Sequence, residues 1–321
     1  LEAIVIALAI GGLLTAHEIK AGAEEMKVGP ARTVAVIAAT PAAWLNHLLR
    51  IDRAWEGLRG WSQGFMDAQD ASADVDEGAG SAVAATPTAV APPKAAGSGW
   101  AAPRVPTNAD PLDVYICGDS MSMDVGAAFV NVAVKTGCIE SKRFYRSATG
   151  LSRPDAYDWP TELRREMGST RHEAVIAMFG ANDGQDVEYE GKVLKLYTPE
   201  WEALYGERVG EAMDVLTAGG QRLYWIGLPI PRSAKQAKKY EMMNRVYRAQ
   251  AEKRAASVVY VDSWKLFSDA SGNYSELLQD GRGKLVDMRK DDGIHFTMAG
   301  ANRMASAVLT TICSEWGIPE P

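Results

Sequence analysis

A parallel α/β fold, one sheet with helices on both faces, is what residues 112–321 of this sequence predict, and three observations carry the prediction. Short apolar runs recur at DVYIC (113–117), AVIAMF (174–179), RLYWIGL (222–228) and VVYVD (258–262). They are almost continuously hydrophobic, the pattern of strands buried on both faces rather than one. Between them lie stretches of helical length, as crossover connections of a parallel sheet require. Finally, the conspicuous polar motifs directly follow strands, and in open α/β sheets chemistry gathers at the carboxyl ends of the strands.

The elements follow in order. A fifth strand is expected near RFYRS (143–147), and helices over roughly 122–136, 160–167, 199–218, 236–256 and 297–314. The third of these has Pro199 in its first turn and closes at Gly219-Gly220, a good start and a good stop. Cys117 and Trp225 fall inside strands and are expected in the core. His172, in the charged stretch STRHEA, is expected to be solvated surface.

The first third of the chain reads differently. Ala3–Ala16, AIVIALAIGGLLTA, is uncharged and continuously apolar, so residues 1–27 are expected to form a membrane anchor or signal-like segment. In residues 28–67, Trp44, Leu45, Leu48, Leu49 and Trp55 recur at helical spacing and predict an amphipathic helix, with His47 as an interfacial side chain. Residues 68–111 are rich in Ala, Pro, Gly, Ser and Thr and bury too little apolar surface to offset ordering, so a flexible, disordered linker is expected, with Trp100 docking locally.

Bulk properties exclude some functions. At 321 residues with a net charge of −7, the chain lacks the basic face that nucleic acid requires. Its three cysteines are too few for a disulfide scaffold and have no zinc spacing, although Cys138 and Cys313 could pair in an oxidising compartment.

Four loops carry the chemistry. Gly118-Asp119-Ser120 follows the first strand, SATGLSRPD (147–155) the second, and Gly180-Ala181-Asn182-Asp183 the third, while Asp292-Gly293-Ile294-His295 precedes the last helix. Taken singly each has an ordinary meaning: a serine before a helix is a cap, G-x-N-D is a turn, and D-x-x-H is one part of a metal site. Together they supply what acyl transfer needs. Ser120 is the nucleophile, His295 its base, and Asp292, three residues away, the partner that fixes the imidazole tautomer. Backbone N–H groups of Ser120 and Gly150 and the Asn182 amide suit a developing oxyanion.

At these residues the chain resembles the SGNH, or GDSL-type, hydrolase superfamily. Its four naming positions fall on Ser120, Gly150, Asn182 and His295, with Asp292 completing the triad. The resemblance spans Leu112–Pro321 and implies a flavodoxin-like three-layer α/β/α sandwich around a five-stranded parallel sheet, with no cofactor or metal. Met121 stands where the GDSL motif has Leu, a substitution of similar size and polarity. TGLSRPDAYDWP, GANDGQ, WIGLP and DGIHFTMAGANRMA look like a bacterial subfamily that joins a membrane segment to an exported catalytic domain. The resemblance therefore implies an acyl esterase or O-acetyltransferase at the inner membrane, facing the periplasm. It implies an acylated glycan or small ester as substrate and a membrane-bound acyl donor protein as a partner. Asp119, Arg153, Trp159, Asp183, Gln185 and Arg289 are the expected substrate contacts. Asp155 and Tyr157 lie beside them, and Arg289 has the alternative of pairing with Asp287 or Asp291.

Overall fold

The computed structural model describes residues 100–321, so the expected anchor, the amphipathic helix with His47 and most of the linker lie outside the described residues. None of the described helices is long and apolar enough to cross a membrane.

The chain runs β1 (Leu112–Gly118), α1 (Ser120–Ala133), β2 (Ile139–Tyr145), α2 (Trp159–Ser169) and β3 (Ala174–Met178). A hairpin of β4 (Val187–Tyr189) and β5 (Lys192–Leu194) follows, then α3 (Pro199–Thr217), β6 (Arg222–Ile226), α4 (Ala234–Glu252) and β7 (Val258–Val261). The one-turn α5 (Ser263–Leu266), a second hairpin of β8 (Leu277–Gln279) and β9 (Leu285–Asp287), and α6 (Met298–Trp316) complete it. Five strands form one parallel sheet in the order β2-β1-β3-β6-β7. Relabelled by position in the chain this is the 2-1-3-4-5 order of doubly wound folds, whose switch point lies between the first and third strands.

Strand pleating sorts the side chains into two cores. Val114, Ile116, Ile176, Tyr224 and Ile226 face α1 and α6, where they meet Phe129, Met304 and Val308. Tyr115, Cys117, Val175, Ala177, Leu223 and Trp225 face α2, α3 and α4, where they meet Trp159, Trp201 and Tyr247. Cys117 and Trp225 are fully buried, as expected. The helices start on caps written in the sequence. Asp158 accepts from Thr161 N and Thr198 from Trp201 N, each with a proline in the first turn, and Thr297 accepts from Gly300 N.

Several expectations need correction. The strand expected at 143–147 begins at Ile139, because Leu112–Gly118 pairs with the whole of Ile139–Tyr145 and its exposed charges hid the pattern. As an edge strand it needs to be apolar on little of its surface. Residues 100–111 are packed on the domain rather than free: Trp100 meets Trp316 edge to face with centroids 5.3 Å apart and stacks under Arg222, while Arg104 makes a two-point contact with Glu173. Cys138 and Cys313 are free thiols.

His172 is buried, not solvated. Its Nδ1 lies 2.7 Å from Asp113 Oδ1 and its Nε2 2.9 Å from Glu166 Oε1, and its ring stacks on Tyr115. Lys142 Nζ reaches the same Glu166 oxygen at 2.6 Å. This clamp ties β1, β2, α2 and the approach to β3 together at the end of the sheet opposite the strands' carboxyl termini. Partial burial pushes the Glu166 carboxyl up, but the bonds from Lys142 and His172 outweigh it and hold the group below its usual 4.5. A depressed folded-state pKa stabilises the fold above the unfolded value and loses that contribution as pH falls through the folded one. Chemical denaturation should therefore show wild type more stable than Glu166→Gln at pH 7, with the gap closing below about pH 4.5.

Candidate active site

The site grows from the β1–α1 junction. Asp119 caps α1, its Oδ1 accepting from Met121 N at 2.9 Å. Its Oδ2 accepts from Gly180 N at 2.7 Å and Ala181 N at 2.9 Å, across the sheet in the loop after β3. One carboxylate thus fixes both the helix that begins with Ser120 and the loop that carries Asn182. Burial pushes this carboxyl up to about 7, its three amide donors opposing the shift and the charge of Asp183 adding to it.

Asp183 does the equivalent for the Gly150 loop. Its oxygens accept from Ser152 N at 2.8 Å, Leu151 N at 3.1 Å and the Tyr205 hydroxyl at 2.7 Å, and the Tyr205 hydroxyl in turn meets that of Tyr247 at 2.7 Å. Burial raises this carboxyl too, against the pull of its donors. The approach is so close that a Cβ on Gly150 would sit 2.0 Å from Asp183 Oδ1, so only glycine fits there. Just upstream, Ala148 is held at φ 59°, a left-handed conformation costly for a side-chain-bearing residue. The loop also gains a bond from Trp159 Nε1 to Thr149 Oγ1 at 2.9 Å.

The fourth loop brings in His295. His295 Nε2 lies 2.9 Å from Ser120 Oγ, and His295 Nδ1 lies 2.6 Å from Asp292 Oδ2. Asp292 Oδ1 turns back to accept from Ile294 N at 2.7 Å and His295 N at 2.9 Å, which fixes the carboxylate against its own loop. Partial burial pushes the Asp292 carboxyl up, but the His295 bond and the two amides outweigh it and hold it low, so it stays charged at neutral pH. Arg232 clamps the loop from outside, its backbone N donating to Gly293 O at 3.1 Å and its Nη1 to Asp291 O at 2.6 Å. Lys290 Nζ ties the same loop to Asp124 of α1 at 2.8 Å.

Asn182 Nδ2 donates to Thr149 O at 3.0 Å, which locks the amide beside Gly150 and leaves its second hydrogen for a ligand. Neither the Ser120 nor the Gly150 backbone N–H donates a hydrogen bond among the described residues. The five residues expected to carry chemistry therefore converge from four loops.

The expected substrate contacts divide. Asp119, Asp183 and Trp159 are fully buried and spent on positioning the loops, so their assignment as substrate contacts is corrected. Arg289 is also buried. Its Nη2 donates to Ile230 O at 2.9 Å, it pairs with neither Asp287 nor Asp291 through its side chain, and it reaches no open surface where a substrate carboxylate could bind. Arg153 is buried as well, its side chain making a two-point bond to Asp155 at 2.8 and 2.7 Å, so its assignment as a substrate contact is corrected too, while the partly exposed Gln185 donates through Nε2 to Asn182 O at 2.8 Å. Tyr205, Tyr247, Arg232 and Lys290 went unnoticed in the sequence. They act through folding alone and carry no local motif.

Residues 113–311 match a family described as a protein of unknown function, DUF459. The chain belongs to that family. The fold, a five-stranded parallel sheet flanked by helices, is the one that the SGNH resemblance implies. No curated protein matches the chain. Solved structures similar to it include a carbohydrate esterase family 3 protein from Talaromyces cellulolyticus, at 12% identity and TM-score 0.45, covering 64% of this chain and 98% of that one. A member of the lipolytic G-D-S-L family from Veillonella parvula is 12% identical with TM-score 0.44, over 62% and 97% of the two chains. A GDSL-like lipase from Bacteroides thetaiotaomicron is 13% identical with TM-score 0.41, over 63% and 88%.

The Asp119 assignment is testable. Asp119→Ala strands three buried amides, each worth about 1–3 kcal/mol, so urea denaturation should show a loss of about 3 kcal/mol or more. Substitution of the exposed Glu188 should leave stability within about 0.5 kcal/mol of wild type.

Proposed function

We propose that this DUF459 chain is a serine esterase or O-acyltransferase that works through an acyl-enzyme on Ser120. The observation that carries the proposal is the unbroken hydrogen-bonded line Ser120–His295–Asp292, at 2.9 and 2.6 Å, facing unspent donors of the Gly150 and Asn182 loops.

The chemistry follows from the geometry. Asp292 accepts from Nδ1–H, so the lone pair of His295 Nε2 faces the Ser120 hydroxyl and takes its proton as Oγ attacks an ester carbonyl. The imidazolium formed is stabilised by the charged Asp292. The carbonyl oxygen becomes an oxyanion, met by Ser120 N–H, Gly150 N–H and Asn182 Nδ2. Collapse returns the proton from His295 to the leaving alcohol and leaves the acyl group on Ser120. Water or a second hydroxyl then attacks by the same steps in reverse. The nature of that acceptor separates an esterase from a transferase, and the triad serves both.

The substrate we propose is an O-acylated glycan of the cell envelope or extracellular space. What supports this is that Tyr145 is exposed at the end of β2 in register with Gly118, an aromatic ring beside the strand end that leads to Ser120. The apolar segment 3–16 and the residues up to 99 support a catalytic domain tethered at the inner membrane and facing the periplasm, with a membrane-bound acyl donor as partner.

Release of p-nitrophenol from its acetate ester, followed with and without glycan oligosaccharides, tests the proposal. Ser120→Ala and His295→Ala should each lower kcat by about 10⁴-fold or more. Asn182→Ala should lower it by about 10²–10³-fold with little change in KM, because its bond strengthens only as the oxyanion forms. Acetylated sugar in the products marks a transferase, and sugar-independent turnover an esterase. Wild-type turnover no faster than Ser120→Ala, together with no labelling by a fluorophosphonate, would overturn the proposal.

A further inference from the structure

The loop that presents Asp292 and His295 is fastened from two sides, and the two fastenings lead to different parts of the molecule. On one side it is held to the turn before α4, where Arg232 N donates to Gly293 O at 3.1 Å and Arg232 Nη1 to Asp291 O at 2.6 Å. The approach is close enough that a Cβ on Gly293, whose φ is 69°, would lie 2.5 Å from Arg232 Cβ. These contacts fix the loop against the β6–α4 connection and do not reach α1. On the other side, Lys290 Nζ meets Asp124 Oδ2 at 2.8 Å. Among the hydrogen bonds and ion pairs of the described residues, this contact and that of His295 Nε2 with Ser120 Oγ are the two that join residues 290–295 to α1.

Both ends of the ion pair stand next to the Ser120–His295 contact. Asp124 follows Ser120 by four residues, so it shares a face of α1 with Ser120, about 6 Å further along the axis. Lys290 N donates to His295 O at 2.8 Å, and the pairing of Arg289 with Phe296 closes the loop just behind it. A displacement at Lys290 is therefore passed to His295 through one peptide hydrogen bond. The ion pair is a second tie between the same two segments.

Its exposure decides what such a tie can do. The side chains of Lys290 and Asp124 are 45% and 20% exposed, and a pair so open to water adds little to folding stability. Each is the other's one ion-pair partner among the described residues, so the contact serves no wider network. Position is another matter, because a misplacement of about 1 Å between reacting groups can cost about 100-fold in rate. The Ser120–His295 hydrogen bond cannot hold that position through a reaction cycle, since an acylated Ser120 has no hydrogen to give the imidazole. The Lys290–Asp124 pair persists at that stage.

We propose that Lys290 and Asp124 are positioning residues: their ion pair holds the His295 loop in register with the helix that begins at Ser120, and keeps it there in the acyl-enzyme. The role rests on the reading of Ser120 and His295 given under the proposed function.

The test uses the full chain and p-nitrophenyl acetate. Lys290→Met and Asp124→Asn should each lower kcat by about tenfold, with KM within about twofold and Tm within about 3 °C of wild type. The double variant should be no slower than either single one, because both remove the same contact. Exchanging the charges, Lys290→Asp with Asp124→Lys, should recover most of the rate. Asp214→Asn, which breaks the exposed pair with Arg254, should leave kcat unchanged. A readout that needs no turnover comes from ¹⁵N spectra of the imidazoles. Ser120→Ala should move the His295 Nε2 signal in an otherwise wild-type chain and barely move it beside Lys290→Met. Rates within about twofold of wild type in both single variants, additive losses in the double one, or equal movement of the Nε2 signal in both backgrounds would each overturn the proposal. An inactive wild type that fluorophosphonate does not label would overturn the function proposed above, and the spectra would then still support or overturn the tie.

Discussion

The carboxylate of Asp119 is the constraint on which the rest of the molecule's site depends. It is fully buried and receives three backbone amides from two separate segments, the first turn of α1 and the loop after β3. Amides at a helix start need acceptors, and so do amides at a tight strand exit. Meeting both with a single carboxylate ties the helix that begins with Ser120 to the loop that carries Asn182. The distance between Ser120 and Asn182 is thereby set by a covalently short side chain rather than by the packing of distant helices.

Asp183 repeats the device one loop further out, and the two buried carboxylates share the same interior. Each raises the cost of the other's charge, which is why Asp119 needs three amides and Asp183 two amides and a phenol. The result is a scaffold of buried hydrogen bonds behind the more exposed Ser120, His295 and Asp292. Ser120, His295 and Asp292 meet at hydrogen-bond distances through groups that owe their positions to atoms the substrate never reaches.

Much of this was legible in the sequence because it rests on local pattern. The strands showed as apolar runs since both faces are covered, and the candidate site showed because serine, asparagine and D-x-x-H stand just beyond strand ends or before a helix. What stayed hidden depends on distance in space. His172 looked solvated because its partners, Asp113 and Glu166, are 59 and 6 residues away and its stacking on Tyr115 has no local signature. Asp119, Asp183 and Trp159 resembled ligand contacts because polar and aromatic groups beside a nucleophile serve either substrate or scaffold, and only their burial decides between them. The β8–β9 hairpin has strands of three residues, too short to show a period.

The charged character of β2 has a consequence for how the sheet ends. β2 is an outer strand, and Glu140, Lys142 and Arg143 stand exposed along it. A strand from another chain that paired there would have to strip water from these charges along the whole new contact, with no opposite charges arranged to receive them. The same residues that disguised β2 in the sequence thus keep the sheet finite, and protect the protein from self-assembly wherever many copies are held close together.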